Sequence, residues 1–559
     1  MNITEKISRL VPGITITEQG DQVISIPAES FHQIAETLRN DQDEPMDFLR
    51  DIVGMDWQEG GLGALYYLES SKTYNRIVLK TSTTDRENPY LPSVCDLWKT
   101  AEIKEREVFD FFGIRFLNNP DMRRLFLRED WKGYPLRKDY DMNSNPLNME
   151  NEENADITDE YYLNPDGTIA DKKNIVFGQQ DFVVNIGPQH PSTHGVLRLR
   201  TSLNGETISK VDPICGYIHR GIEKMNESLT YPQTLALTDR LDYLSAHQNR
   251  HALCMCIEKA MGIEVSDRVK YIRTSIEKAA GIEISERAQY IRTIMDELQR
   301  IDSHLLFYSC LVMDMGGLTP FFYGFREREM ILDIFEETTG GRLIQNYNMI
   351  GGVQADLHPD FQRKVKEFIK HLRSVIKDYH DIFTGNVIAT TRLKGIGVLS
   401  LEDAISLGVT GGSGRASGWA NDVRKHHPYA MYDKVDFKEI TYTEGDSFAR
   451  YMVRMDEIME SCHIIEQLID NIPEGEYRVK TKAIIKLPEG NYSAAVESSR
   501  GEFGVMLESH GDKSPYRLHY RSTGLPLVHA LDTVCKGNKI ADLIAIGGTL
   551  DYVIPDIDR

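Results

Sequence analysis

Apolar residues recur at helical spacing from Trp98 to Phe112, with acidic and basic residues alternating around them. A shorter helical pattern covers Ser30 to Asn40. Val23 to Pro27 and Ile77 to Thr81 read as strands. Residues 1–140 are therefore expected to form a small α+β domain. From 141 to 178 the apolar pattern disappears. Turn formers accumulate at Asp141-Met-Asn-Ser-Asn-Pro and Asn151-Glu-Glu-Asn-Ala-Asp, and Asn164-Pro-Asp-Gly is a turn signal, so this stretch reads as a linker. Residues 179–559 open with β-type alternation at Phe182–Ile186 and Val196–Thr201. Long helical patterns follow at Ala288–Met315, Phe325–Thr338 and Asp360–Phe383. Further β segments are predicted at Ala483–Leu487, Phe503–Leu507 and Arg517–Arg521. The expectation is an α+β chain whose second unit is mostly helical with β elements at both ends. One segment repeats in tandem: Ile257–Thr274 reappears, with conservative changes, as Ile276–Thr293. Two copies do not make a solenoid.

Composition narrows the function classes. A chain of 559 residues is long enough for more than one folding unit. Its net charge of -21 lacks the basic surface that phosphate binding needs, which removes nucleic acid as a partner. The same acidity repels anionic lipid headgroups, so contact with a membrane complex is expected to run through protein partners. No run of 18 apolar residues exists and Met1–Leu10 has no signal-peptide core, so the chain is expected in the cytosol. The seven cysteines are scattered, with no C-x-x-C pair, and a disulfide framework is not expected. Cys254 and Cys256 fall two apart in a helical stretch and point to different faces, as buried small hydrophobes do.

Several segments carry candidate chemistry. Gly187–Gly195 (GPQHPSTHG) places His190 and His194 in a loop between strand patterns, where two imidazoles can bind metal, exchange protons or hydrogen-bond a ligand. Pro191 argues against a helix there. His219–Lys224 and Arg240–Leu244 read, taken singly, as ion-paired surface. Asp314 ends a long apolar helix, either capping the next turn or standing as a buried acid. Gly411–Gly418 lacks the lysine of a phosphate loop and reads as a tight structural turn.

Together these segments resemble one family. Gly187–Gly195, Tyr217–Lys224 (YIHRGIEK), Leu318–Glu329 (LTPFFYGFRERE), Ile350–Val353, Arg415–Gly418 and Asp556–Arg559 are similar to the D (49 kDa) subunit of NADH:quinone oxidoreductase, respiratory complex I. Glu105–Ile114 (EREVFDFFGI), Pro120–Arg124 and Gly133–Tyr140 resemble its C (30 kDa) subunit. The order C then D resembles the fused subunit of some bacteria.

The resemblance implies a mechanism. The 49 kDa family descends from nickel–iron hydrogenase large subunits, which hold their metal with two C-x-x-C pairs. The equivalent places here are Arg240–Ser245 and Leu550–Ile554, with no cysteine in either. The vacated cavity takes the quinone headgroup, beside an iron–sulfur cluster held by the B subunit. His194 and Tyr243 match the headgroup ligands, Asp314 matches the acid linked to that histidine, and Arg240 lies near the cluster. A histidine and a tyrosine can each donate one of the two protons that quinone reduction takes up. The implied role is the quinone-site subunit of a proton-pumping NADH:quinone oxidoreductase, peripheral on the cytoplasmic face of the bacterial inner membrane. Its implied partners are the B, I and membrane-arm H and A subunits, with no metal or flavin in this chain.

Two departures stand out. The usual pattern has one copy of the repeated segment. Nineteen extra residues of continuous helix would rotate the buried face by roughly 100°, so a break is expected near Gly262 or Gly281 with the extra unit looped outward. Many members also carry a histidine where Ile344 stands, which points to a low-potential quinone. A hydrogenase-type large subunit and a ligand-free scaffold are the competing readings.

Overall fold

The computed structural model describes residues 7, 14–17, 20–142, 161–163, 169–172, 176–177, 182–190, 195–262 and 284–559.

The N-terminal part is built on a five-stranded sheet of β1 (Thr15–Thr17), β2 (Val23–Ser25), β3 (Phe48–Asp56), β4 (Leu62–Glu69) and β5 (Arg76–Thr83), in the order β1-β2-β5-β4-β3. Within it, only β2 and β5 pair in parallel. Helices α1 (Ala28–Arg39) and α2 (Thr100–Phe112) cover one face. Gly54 of β3 lets the ring of Phe112 close on the strand; a Cβ there would lie 2.5 Å from it. Val53, Met55, Leu65 and Tyr67 point the other way and bury themselves with Met506 from far along the chain. β3 and β4 are therefore buried on both faces, which hides them from an alternation reading.

The second part begins with an antiparallel sheet of β6 (Phe182–Ile186), β7 (Arg198–Asn204) and β8 (Thr207–Ile214). Helices α3 (Tyr231–Thr238) and α4 (Ala246–Ala260) follow, then α5 (Glu286–Asp314), α6 (Leu318–Thr339), α7 (Phe361–Tyr379) and α8 (Ser447–Leu468). The sheet of β9 (Gly490–Ser498), β10 (Gly501–Ser509) and β11 (Arg517–Arg521) and the helix α9 (Ile540–Leu550) close the fold. The fold is α+β, with the helices packed around a core that α5 crosses from end to end.

Most predicted elements form, with three corrections. α6 starts at Leu318, earlier than the predicted Phe325, because its first two turns are apolar without an amphipathic stripe. α7 ends at Tyr379 and passes into one π-helical turn, His380–Thr384. Ala483–Leu487 is not a strand: the chain bends at 483–484, Ile484 is 61 % exposed, and the neighbouring ladder is complete with β9, β10 and β11. In the repeat, α4 ends after Ala260 and Gly262 turns with φ +69°, which is the expected break. Residues 263–283 lie outside the described set, and so does any test of the looped-out reading.

The two parts share an apolar core. Trp98, Phe111 and Phe126 belong to the same buried cluster as Leu197, Leu525 and Ile557. Charged groups cross the same seam. Arg50 donates to Glu502 from Nε at 2.8 Å, and His519 Nε2 lies 3.0 Å from Asp51. The Arg559 guanidinium reaches Glu107 at 2.5 Å and Glu223 at 3.2 Å. Among the described residues, no helix is long and apolar enough to cross a membrane.

Candidate functional site

Tyr243 sits in the turn between α3 and α4. It lines a cavity of about 280 Å³ with Ile218, Arg220, Arg240, Leu343, Ile344 and Pro555. The turn is rigid because its next-door acid is anchored: buried Asp242 accepts from Arg500 Nη1 at 3.0 Å. The other end of that guanidinium donates to Asp551 at 3.1 Å, and Nη1 also reaches Ser303 Oγ at 3.0 Å. Asp551 takes a left-handed conformation, φ +61°, at the end of α9. Arg454 donates to the carbonyls of Thr549 and Leu550, both at 3.1 Å. The segments Arg240–Ser245 and Leu550–Ile554 are thus drawn together around one buried guanidinium.

The electrostatics follow from this. Burial raises the Tyr243 hydroxyl, Arg500 opposes and Asp242 adds to it, so the phenol is a neutral donor at pH 7. Burial pushes the Cys310 thiol up to about 11, helped by Asp551 and Asp314. Cys310 in turn acts on Tyr243. Cys310 is thus the group that feels both Asp314 and Asp551 and acts on Tyr243. Asp314 is the last residue of α5 and faces Gly548 of α9, where a Cβ would lie 3.6 Å from its carboxylate. On the cavity's open side, Arg220 donates to the carbonyl of Arg240 at 2.8 Å. Burial and then Arg240 lower the Arg220 pKa. Two guanidiniums thus give a cationic mouth to an otherwise acidic chain.

The structure brings Tyr243 and Arg240 to this cavity; Asp314 stands beside Gly548 of α9 and is not among the residues that line it. His194 lies outside the described residues; the loop's end, Gly195, packs against Ile554, where a Cβ would lie 2.7 Å from that side chain. His190 is exposed. Ile344 is a wall of the same cavity.

The surface reading of His219–Lys224 is corrected. His219 stacks on Phe111 and Phe126, and buried Glu223 takes Arg517 at 2.7 Å and His519 at 3.0 Å. The segment is the seam between the two parts. Arg240–Leu244 is exposed only at Arg240, because Asp242 faces inward. Gly411–Arg415 forms one helical turn pressed onto β10, with a Cβ at Gly411 only 2.4 Å from Gly501, as a structural turn requires. Cys254 and Cys256 are buried. Glu107, Glu223 and His519 are close enough together to suit a metal, but Arg517, Arg559 and Lys104 already supply positive charge there. Arg500 escapes a sequence reading because an arginine before glycine between two strands looks like any hairpin turn.

Comparison with known proteins gives the family. Residues 24–146 match the family model of the respiratory-chain NADH dehydrogenase 30 kDa subunit. Residues 314–486 and 480–559 match that of the 49 kDa subunit. The NADH-quinone oxidoreductase C/D subunit of Phocaeicola vulgatus is 68 % identical over 536 residues, covering 96 % of this chain and 99 % of that protein. The C/D subunit of Bacteroides fragilis is 69 % identical over 550 residues, covering 96 % of this chain and all of that one. The separate D subunit of Desulfotalea psychrophila is 44 % identical over 404 residues, covering 72 % of this chain and 100 % of its own length. Among solved structures, a chain of the membrane-bound sulfane sulfur reductase, an archaeal respiratory membrane complex, superposes with TM-score 0.63 at 32 % identity, over 68 % of this chain and 100 % of that one. The chain belongs to the family of fused C/D subunits of NADH-quinone oxidoreductase, in which 30 kDa-type and 49 kDa-type subunits of the respiratory-chain NADH dehydrogenase share one polypeptide, and it is a subunit of that oxidoreductase complex.

Proposed function

We propose that the Tyr243 cavity is where this subunit receives the quinone. The observation that carries the reading is the half-buried phenol in a cavity of about 280 Å³, held by the Asp242–Arg500–Asp551 bridge. Quinone reduction to quinol takes two electrons and two protons. The electrons come from an iron–sulfur cluster in the neighbouring B subunit, on the side of Arg240. Tyr243 and His194 each hydrogen-bond one carbonyl and supply one proton. Asp314 answers the charge change at His194 and passes it onward. In this reading residues 1–140 are the 30 kDa-like unit, 141–178 the tether and 179–559 the 49 kDa-like unit. The chain sits peripherally on the cytoplasmic face of the inner membrane, against the B and I subunits and the membrane-arm H and A subunits. A metal-holding large subunit is disfavoured by its donor set, since neither facing segment offers a thiolate and a guanidinium stands between them.

Tyr243→Phe removes one hydroxyl and almost no volume. A lost hydrogen bond costs about 0.5–1.5 kcal/mol, more where it assists developing charge. Donor-to-quinone turnover in membranes should fall sharply, while donor oxidation with an artificial acceptor that bypasses the quinone stays at wild-type level. Turnover near wild type across a range of quinone concentrations would overturn the assignment.

A further inference from the structure

The cavity has two walls of different origin. Arg240 and Tyr243 come from the turn before α4, and Leu343 and Ile344 from a strap after α6. The strap contains an unusual residue: Asn346 holds φ +50°, the left-handed region that L side chains rarely adopt. One side chain fastens it there. Arg250, buried in α4, donates from Nη1 to Asn346 Oδ1 at 2.9 Å and to the carbonyl of Leu235 at 3.1 Å. Its Nε reaches the carbonyl of Asn348 at 2.5 Å, and Nη2 lies 3.3 Å from Met349 Sδ. Asp239, in the cavity's other wall segment, accepts the backbone N–H of Asn346 at 3.1 Å and faces Arg250 at 3.5 Å. The arginine therefore ties α3, the Tyr243 turn and the strap into one body. It is not itself among the residues that line the cavity.

We propose that Arg250 is a positioning residue for the quinone cavity: by holding Asn346 left-handed it fixes the distance between Ile344 and Tyr243, and so sets how tightly the headgroup is gripped. The inference rests on the quinone reading of the cavity. A rigid planar fork suits this task, because its donors leave in fixed directions toward separate acceptors. Such a residue acts on binding in the ground and transition states alike, so its loss raises KM and leaves kcat in place.

The test measures quinone KM and kcat in membranes holding the assembled complex. Arg250→Gln should raise the KM for a short-chain quinone on the order of tenfold with kcat retained. Asn346 is exposed, so its variants separate strap geometry from folding. Asn346→Ala, which disfavours the left-handed backbone, should raise KM in the same sense. Asn346→Gly, which loses the same Oδ1 contact but is free at positive φ, should raise KM less than Asn346→Ala, and combined with Arg250→Gln should bring KM below that of Arg250→Gln alone. Equal falls in kcat and kcat/KM, or Asn346→Ala and Asn346→Gly behaving alike, would overturn the proposal. Tyr243→Phe runs alongside. If it abolishes quinone turnover while Arg250→Gln leaves KM unchanged, only the positioning role fails; if it leaves turnover intact, the quinone reading fails and takes this inference with it.

Discussion

Arg500 lies buried between Asp242 and Asp551, with one guanidinium edge on each carboxylate. Burial of three charges is tolerable only while all three are present. Arg500→Met should therefore destabilise the chain by about 3–5 kcal/mol, the usual cost of stranding buried partners. The thermal midpoint of the full chain reads this out. Adding Asp242→Asn and Asp551→Asn to Arg500→Met should recover part of the loss, which a simple packing defect would not allow. At this scale the sequence reveals residues that stand in recognisable strings. Tyr243, Asp314 and Arg240 are legible that way; the structure puts Tyr243 and Arg240 on one cavity and Asp314 at the end of α5, beside Gly548. Arg500 and Arg250 are not. Each looks ordinary locally, one in a hairpin turn and one on a helix; Arg500 acquires its role from partners 51 to 258 positions away, and Arg250 from a strap 96 to 99 positions away.

α5 runs 29 residues from a Ser285 cap that accepts the N–H of Ala288 to Asp314. It crosses the whole core, so the elements before and after it must enter in fixed register. The tandem repeat begins in the last turn of α4 and ends inside the first turns of α5. α4 ends before Gly262, which turns at φ +69°, and Ser285 restarts the helix. Both anchors survive deletion of residues 263–281, which joins Gly262 to Ile282 and leaves one copy. The expected outcome is normal assembly and quinone turnover, checked by co-purification of the other subunits and by membrane assays. Loss of assembly would place the extra copy in the core or an interface. Long amphipathic helices are legible because one face is polar. β3 and β4 are not, because apolar residues serve both faces. The start of α6 is hidden for a related reason: Leu318 and Phe322 remain 62 % and 58 % exposed, so apolar residues there do not mark a buried face.

Across the whole molecule, the two parts are separable by composition, but their common core is invisible, since no local pattern reports which surface meets which. The seam is also where pH should act. Burial alone would lower the pKa of His519, but Glu223 and Asp51 outweigh it and raise it. Lys104, Arg517, Arg559 and Glu107 complete its surroundings. A histidine raised in the folded state binds its proton more tightly there than in the unfolded chain, whose value is about 6.5. The stability it adds is complete below that value and is lost as pH climbs through the folded pKa. The thermal midpoint of the full chain should thus decline on the alkaline side. His519→Gln should be less stable by about 3–5 kcal/mol on the acid side, where the buried pair is intact, with a deficit that narrows toward alkaline pH and so a flatter alkaline decline. The face of the first sheet that Met506 covers has a further consequence, during synthesis. β4 is complete at Glu69, more than 400 residues before Met506 leaves the ribosome. At roughly 5–20 residues per second, that apolar face waits about twenty seconds to a minute and a half for its cover. Through that interval the nascent chain presents the kind of bare apolar surface that invites aggregation or a chaperone's grip.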